Sequence, residues 1–247
     1  MTAPVFVVDH FDAGDGGRYV VDGAEGRHAV SVKRLRPGED VILTDGAGRW
    51  ADCTVTGTEG KDRLIVHMST VSEDPAPDPR VTVVQALPKG DRGEVAVETM
   101  TEVGVDAIVP WAAARCVTQW KGERGAKALA KWRNTAREAG KQSRRTRFPE
   151  IPGLHTGKEV AALLADADFA AVLHESGEDP LAAAELPSTG TIVLVVGPEG
   201  GVSPEELALF ATAGARPHVL GPTVLRTSTA GTAAAALLLG RTGRWSS

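Results

Sequence analysis

The chain has 247 residues, 42% of them hydrophobic, 24% charged and 4% aromatic, which excludes a disordered or collagen-like chain and suffices for one large core or two modest ones. No apolar run reaches the roughly 20 residues that cross a bilayer, and the first ten residues, MTAPVFVVDH, lack the basic and long apolar segments of a secretion signal, so a cytoplasmic protein without membrane contact is expected. Net charge is −5, which argues weakly against a nucleic-acid partner until its distribution is considered.

In chain order, the first expected elements are the β-rich runs Asp40 to Thr44, Ala51 to Thr56 and Arg63 to His67, separated by Gly- and Asp-rich turns, the pattern of a small barrel or sandwich. Residues 1–72 are read as this domain. Pro75, Pro77 and Pro79 then alternate with polar residues, which suits neither a helix interior nor a central strand, so residues 73–80 are read as a linker and residues 81–247 as a second domain. Cys53 and Cys116 stand far apart with no His or Cys at ligand spacing, and neither a metal site nor a disulfide is expected.

In the second domain strands alternate with helices. Val81 to Leu87 is a buried-strand run; Asp91 is expected to open a helix with Glu94 as its capping-box partner, and Gly104 to end it. Asp106 to Pro110 is the next strand, and a long basic helix follows. Between Lys121 and Arg147 stand ten basic residues (Lys121, Arg124, Lys127, Lys131, Arg133, Arg137, Lys141, Arg144, Arg145, Arg147) against two acidic ones (Glu123, Glu138). A merely solvated face usually mixes signs, so this stretch reads as a polyanion-binding surface. Trp120 and Trp132 within it are expected to pack the helix onto the sheet. Phe169 to Leu173 and Thr191 to Val196 are continuous apolar runs, as in parallel strands covered on both faces, and an alanine-rich helix from Ala233 to Leu239 closes the chain. The fold class is α/β.

Two glycine patterns carry no nucleotide chemistry. Gly46-Ala-Gly48-Arg-Trp-Ala51 fits a dinucleotide pattern but runs on into β-like sequence, so it reads as a hairpin turn; Gly157-Lys158 lacks the flanking residues of a triphosphate loop. The strongest signal is a buried strand running into Gly197-Pro-Glu-Gly-Gly201 and then a helix start, with Ser203 as N-cap, Pro204 in the first turn and Glu206 completing a capping box. Such glycines let a ligand approach bare backbone at the carboxyl end of a parallel strand. The segment from Val219 to Gly231 repeats the plan: a strand, a Gly221-Pro222 turn, then Arg226 beside a Ser/Thr-rich helix start. Two such loops imply one shared pocket.

GPEGG at 197–201 and LGPTVLRTSTA at 220–230, together with QALPKGDR at 85–92, EAGKQSRR at 138–145 and LHE at 173–175, resemble the RsmE family of 16S rRNA uridine-N3 methyltransferases over nearly the whole chain. The resemblance implies a SPOUT-type methyltransferase domain with a carboxyl-terminal trefoil knot, preceded by a small PUA-like β-barrel. It implies S-adenosylmethionine as methyl donor, a homodimer, and 16S rRNA in the assembled small subunit as substrate. The donor would be cradled by Leu173 and His174, by Gly197, Pro198, Gly200 and Gly201, and by Leu220, Gly221, Leu225 and Thr227. Arg226 and Glu199 would carry the chemistry. His28, Lys33, Arg34 and Arg36 match the family's barrel motif and would hold RNA, as would Lys89, Arg92, Lys141, Arg144 and Arg145. Gly231-Thr232 is a soft departure from the pattern.

Independent chemistry agrees on several points. Pro88-Lys-Gly-Asp91 follows the first strand of the second domain, without the glycine-rich loop a Rossmann-type methyltransferase would show there, so methyl transfer must use the later loops. Uracil N3 is an imide whose proton leaves as the methyl arrives, so the site needs a base or a cation that stabilises the imidate. Arg226 is no base, but its planar fork suits a uracil carbonyl or a phosphate; Glu199, His174 and Glu175 are candidate proton acceptors. A ribose 2′-O methyltransferase would share the donor pocket, whereas a non-catalytic rRNA-binding assembly factor would not need it. With so few aromatics, RNA binding should be led by phosphate contacts.

Overall fold

The computed structural model describes residues 3–11 and 16–246; residues 1–2, 12–15 and 247, which fall inside the two expected domains, lie outside the described residues. The chain divides into two compact units. One runs to Ala76 and takes in Gly140–Phe148; the other comprises Pro77–Ala139 and the chain from Pro149 onward.

The first unit holds β1 (Val5–Val7), β2 (Gly17–Val21), α1 (Gly23–Arg27), a π-helical turn (His28–Val32), β3 (Asp40–Thr44), β4 (Arg49–Glu59), β5 (Arg63–Met68) and β6 (Ser72–Glu73). Its sheet runs β1-β3-β4-β5-β2, with β6 on β4. Every pairing is antiparallel except β1 with β3. In β4, buried Ala51, Cys53 and Val55 alternate with exposed Asp52, Thr54 and Thr56, the period of a strand with one face on a core. The strand outruns its expected bounds at both ends and bends at a register shift between Val55 and Gly57. Gly46 and Gly48, both at positive φ, make the expected turn between β3 and β4. Phe6, Val41, Leu43, Leu64 and Val66 fill the interior, each contributing about 1.5–3 kcal/mol by the usual measure of burial.

Residues 140–148 complete this unit. The Thr146 carbonyl accepts from Gly48 N–H at 3.0 Å and from the Thr44 hydroxyl at 2.9 Å. The Phe148 N–H donates to the Gly46 carbonyl at 2.8 Å, and Thr146 Oγ1 donates to Asp74. Lys141 Nζ meets Glu25 Oε1 at 2.9 Å with both side chains buried. Lys141 is therefore engaged within the fold, a placement that the run of basic residues does not by itself reveal. Division into consecutive segments does not include this return, because nothing in the periodicity of 140–148 marks it as a partner of residues a hundred positions earlier.

The second unit contains β7 (Arg80–Ala86), α2 (Arg92–Val103), β8 (Ala107–Trp111), α3 (Gly122–Gln142, its last three residues belonging to the first unit), α4 (Gly157–Ala165), β9 (Phe169–Leu173), β10 (Asp179–Pro180), β11 (Thr191–Val196), α5 (Pro204–Thr212), β12 (Arg216–Val219) and α6 (Thr227–Arg241). The strands form one parallel sheet in the order β10-β12-β9-β11-β7-β8. One face packs on Met100, Trp132 and Leu238 from α2, α3 and α6, the other on Val160, Leu164 and Phe210 from α4 and α5. Strands sandwiched in this way have no polar face, which is why they read as unbroken apolar runs.

Trp120 and Trp132 pack edge to face with centroids 4.9 Å apart, and a Cβ at Gly93 would come within 2.7 Å of the Trp132 ring; they seat α3 as expected. Gly231 has a comparable task, since a Cβ there would stand 2.8 Å from Met100 Sδ where α6 crosses α2. One expectation is corrected. The N-cap Asp91 has φ −85° and ψ 6° and makes no side-chain cap bond; without the extended backbone of a cap its carboxylate does not turn back onto the helix, and Glu94 pairs instead with Lys131 at 2.9 Å. The final helix opens at the Ser/Thr-rich start expected beside Arg226 and runs unbroken through the alanine-rich stretch, outrunning the bounds Ala233 to Leu239 at both ends; the Arg226 carbonyl accepts from Thr229 and Ala230 at 2.9 Å. Helix α4 has no counterpart among the expected elements, although Thr156 and Glu159 form a complete capping box there.

Candidate active site

At the carboxyl ends of β9, β11 and β12 the second unit opens a pocket of about 550 Å³, in the range of small-molecule sites. Both glycine loops line it, as do Leu173 and His174 at the end of β9. The loops are joined by Thr227 Oγ1, which donates to the Gly197 carbonyl at 2.8 Å. The second loop leaves Gly221 facing open space: a Cβ there would meet no atom within 4 Å.

The glycine loop after β11 is buttressed from outside. Ser203 caps α5 and forms the expected reciprocal pair with Glu206, while the other carboxylate oxygen of Glu206 accepts from the Ala114 N–H at 2.7 Å. Next to Ala114, Arg115 donates from Nη1 to the Gly200 carbonyl at 3.1 Å and lines the pocket. A Cβ at Gly200 would approach Arg115 Cβ to 3.2 Å, and one at Gly197 would approach Val202 Cγ2 to 2.8 Å. Glu199 points the other way along the rim: its Oε1 accepts from Lys89 N–H at 3.1 Å and lies 3.6 Å from Arg92 Nη1. These contacts tie it to the β7–α2 loop.

The pocket thus gathers Arg226, Glu199 and the ten expected donor contacts Leu173, His174, Gly197, Pro198, Gly200, Gly201, Leu220, Gly221, Leu225 and Thr227, together with Arg92. Arg226 is exposed, on extended backbone at the head of α6. Arg115 is the residue sequence reasoning missed; it sits in an aperiodic loop after β8, where no motif marked it.

The expected RNA contacts are dispersed. His28 is half-buried, edge-on to Phe6 at 6.0 Å, and Lys33, Arg34 and Arg36 follow it on an exposed segment. Lys89 and Arg144 are exposed, while Arg145 is half-buried. The basic stretch is not a uniform polyanion face. Lys131 pairs with Glu94, Arg133 donates to the Ile151 carbonyl, Lys141 pairs with Glu25 and Arg147 donates to the Asp74 carbonyl; Lys121, Arg124 and Lys127 are exposed at its start.

Comparison with known proteins converges on the same features. The family described as RNA methyltransferase domain matches residues 75–239, and the RNA methyltransferase PUA domain matches residues 21–68. A Mycobacterium bovis protein named ribosomal RNA small subunit methyltransferase E is 44% identical over 255 aligned residues, covering 99% of this chain and 94% of that one. The chain belongs to the RsmE family. A Bacillus subtilis protein of the same name is 28% identical over 86% of each chain. The crystal structure of the Neisseria gonorrhoeae ribosomal RNA small subunit methyltransferase E bound to S-adenosyl methionine matches with a TM-score of 0.86 at 28% identity, over 99% of this chain and 98% of that one. The PUA-domain match falls within the first unit, and the methyltransferase match spans the α/β unit together with the returning residues 140–148.

The pocket of this RsmE-family chain fits such a donor. Leu173, Val196 and Leu220 supply apolar walls, the loops supply bare backbone, and Gly221 leaves the space a Cβ would fill. Among the described residues no helix is long and apolar enough to cross a membrane.

Proposed function

We propose that this protein uses S-adenosylmethionine to methylate N3 of a specific uridine in 16S rRNA, acting in the cytoplasm as a homodimer on the assembled small subunit. The observation that carries the reading is the pocket in which two glycine loops meet at the carboxyl ends of β9, β11 and β12.

The bound donor supplies an electrophilic methyl on a sulfonium. The residues of this chain do the rest: backbone of the two loops holds the donor, Thr227 keeps the loops together, and Arg226 faces the uracil. Methylation at N3 requires the imide proton to pass to solvent, and the Arg226 guanidinium at the pocket would favour the imidate by meeting the negative charge left on the ring. Glu199, fastened to Lys89 N–H and beside Arg92, acts as the clamp of the first loop. RNA phosphates are met by Lys33, Arg34 and Arg36 on the PUA-like domain, by Lys121 just before α3 and by Arg124 and Lys127 in its first turns, all exposed.

The homodimer is part of this proposal on the strength of the family membership. The trefoil knot belongs to the same proposal. It is supported by β12 lying beyond β9 while α6, which follows it, packs against β7 and β11 on the opposite side of β9.

The test is nucleoside analysis of small subunits from cells lacking the gene, incubated with the protein and labelled S-adenosylmethionine. Label in N3-methyluridine is expected. Label in a 2′-O-methylated nucleoside would reassign the nucleophile, and no incorporation despite tight donor binding would reduce the protein to an rRNA-binding factor.

A further inference from the structure

His174 follows β9, the strand between β11 and β12, and lines the pocket between the two loops those strands feed. Its main chain is fixed. The His174 N–H donates to the His218 carbonyl at 3.1 Å, and its own carbonyl accepts from Gly177 N–H at 3.1 Å. The turn is pressed against β12, since a Cβ at Gly177 would lie 2.7 Å from the His218 backbone.

The ring is fixed as well. The Ser176 backbone N–H reaches His174 Nδ1 at 3.1 Å, and the Ser176 hydroxyl lies 2.7 Å from the same nitrogen. A backbone amide can only donate, so Nδ1 is an acceptor, and the neutral imidazole then carries its proton on Nε2. To take the N3 proton of a uracil the ring would need an unprotonated nitrogen facing the substrate, and its one such nitrogen is turned toward Ser176. The nitrogen that Ser176 leaves open to a ligand is therefore an N–H. S-Adenosylmethionine presents acceptors to meet it in its adenine ring nitrogens, its ribose hydroxyls and its carboxylate.

We propose that His174, held as the Nε2–H tautomer by Ser176, recognises S-adenosylmethionine as a hydrogen-bond donor and is not the proton acceptor of the reaction. This rests on the donor-pocket reading above. It makes Ser176, which no motif singles out, a positioning residue acting through His174.

Calorimetry on the full chain tests it, with S-adenosylmethionine and methylthioadenosine as probes and His174→Ala and His174→Gln as variants. Loss of one neutral hydrogen bond should weaken S-adenosylmethionine binding by His174→Ala roughly two- to tenfold, and the glutamine amide, which places an N–H near the position of Nε2, should recover most of it. A matching loss with methylthioadenosine places the acceptor on the adenosyl part; a loss confined to S-adenosylmethionine places it on the methionyl carboxylate. Nitrogen-15 spectra of the parent's histidine rings at pH 8 should show the Nε2–H form for His174 whether or not either variant folds. An Nδ1–H ring, or an alanine variant that binds as tightly as the parent, overturns the proposal. A parent that binds no S-adenosylmethionine instead overturns the pocket reading on which it rests.

Discussion

Glycines 197, 200, 201 and 221 share one pocket but answer to different forces. A side chain at Gly197 would strike Val202, one at Gly200 would press on Arg115, and Gly201 has φ +74°, where any L residue is strained. Only at Gly221 does neither packing nor backbone conformation require glycine, which leaves the approach of a ligand as its reason. Gly221→Val should therefore keep the parent's thermal midpoint and lose donor affinity by about tenfold or more, the scale of modest overpacking; parental affinity in calorimetry would move the donor off this backbone. Arg226 is expected to act on rate alone. Arg226→Ala should slow single-turnover methyl transfer at saturating RNA by about 100- to 1000-fold, Arg226→Lys should recover part of it, and donor affinity should be unchanged in both. Away from the site, burial pushes the Cys53 thiol up to about 12 from 9.0. Between those pH values the unfolded chain gives up a proton that the folded chain keeps, so this contribution to stability is intact below pH 9 and falls as pH rises through the window. Denaturant titrations at pH 8 and pH 11 should show a smaller alkaline loss for Cys53→Ala than for the parent.

Among the elements, α5 and the segment after α6 show how ends of secondary structure hold the site in place. The α5 cap satisfies its own helix through Ser203 and Glu206, and Glu206 extends the same carboxylate to Ala114, next to Arg115. Beyond α6, Arg244 donates to both Asp106 oxygens at 2.8 and 3.2 Å and to the Pro79 carbonyl at 2.8 Å, and Asp106 also accepts from Val81 N–H at 2.9 Å. This cluster fastens the end of the chain to the start of β7, the strand next to β11. Asp106 is 5% exposed, so Arg244→Met should cost about 3–5 kcal/mol by removing the partner of a buried carboxylate. Adding Asp106→Asn should recover part of that loss in urea denaturation, because the uncompensated charge is then gone.

For the whole molecule, the return of residues 140–148 means that the first unit is not a continuous stretch of chain. Residues 1–76 alone lack Phe148, Thr146 and Lys141, and with them the partners of Gly46, Thr44 and Glu25. Expressed alone, that fragment should show no cooperative urea transition, in contrast to the full chain. A sharp transition of parental steepness would make the return an accessory contact.

Some of this architecture was legible in the sequence because it depends on local forces. Strands β3, β9 and β11 have the bounds expected of them, since β-branched runs between turn residues need no distant partner to be recognised. The α5 cap, the Gly104 helix end and the two glycine loops were legible for the same reason, and the loop motifs carried the family resemblance. Tertiary structure decided what depends on residues far apart in the chain. It turned Lys141 inward to Glu25 and gave Lys131 and Arg133 partners within the chain, because one-dimensional charge does not say which cations will be desolvated and paired. It brought Arg115 to the rim and set Ser176 against the His174 ring, because side-chain direction in aperiodic loops is fixed only when strands from distant parts of the chain are laid side by side.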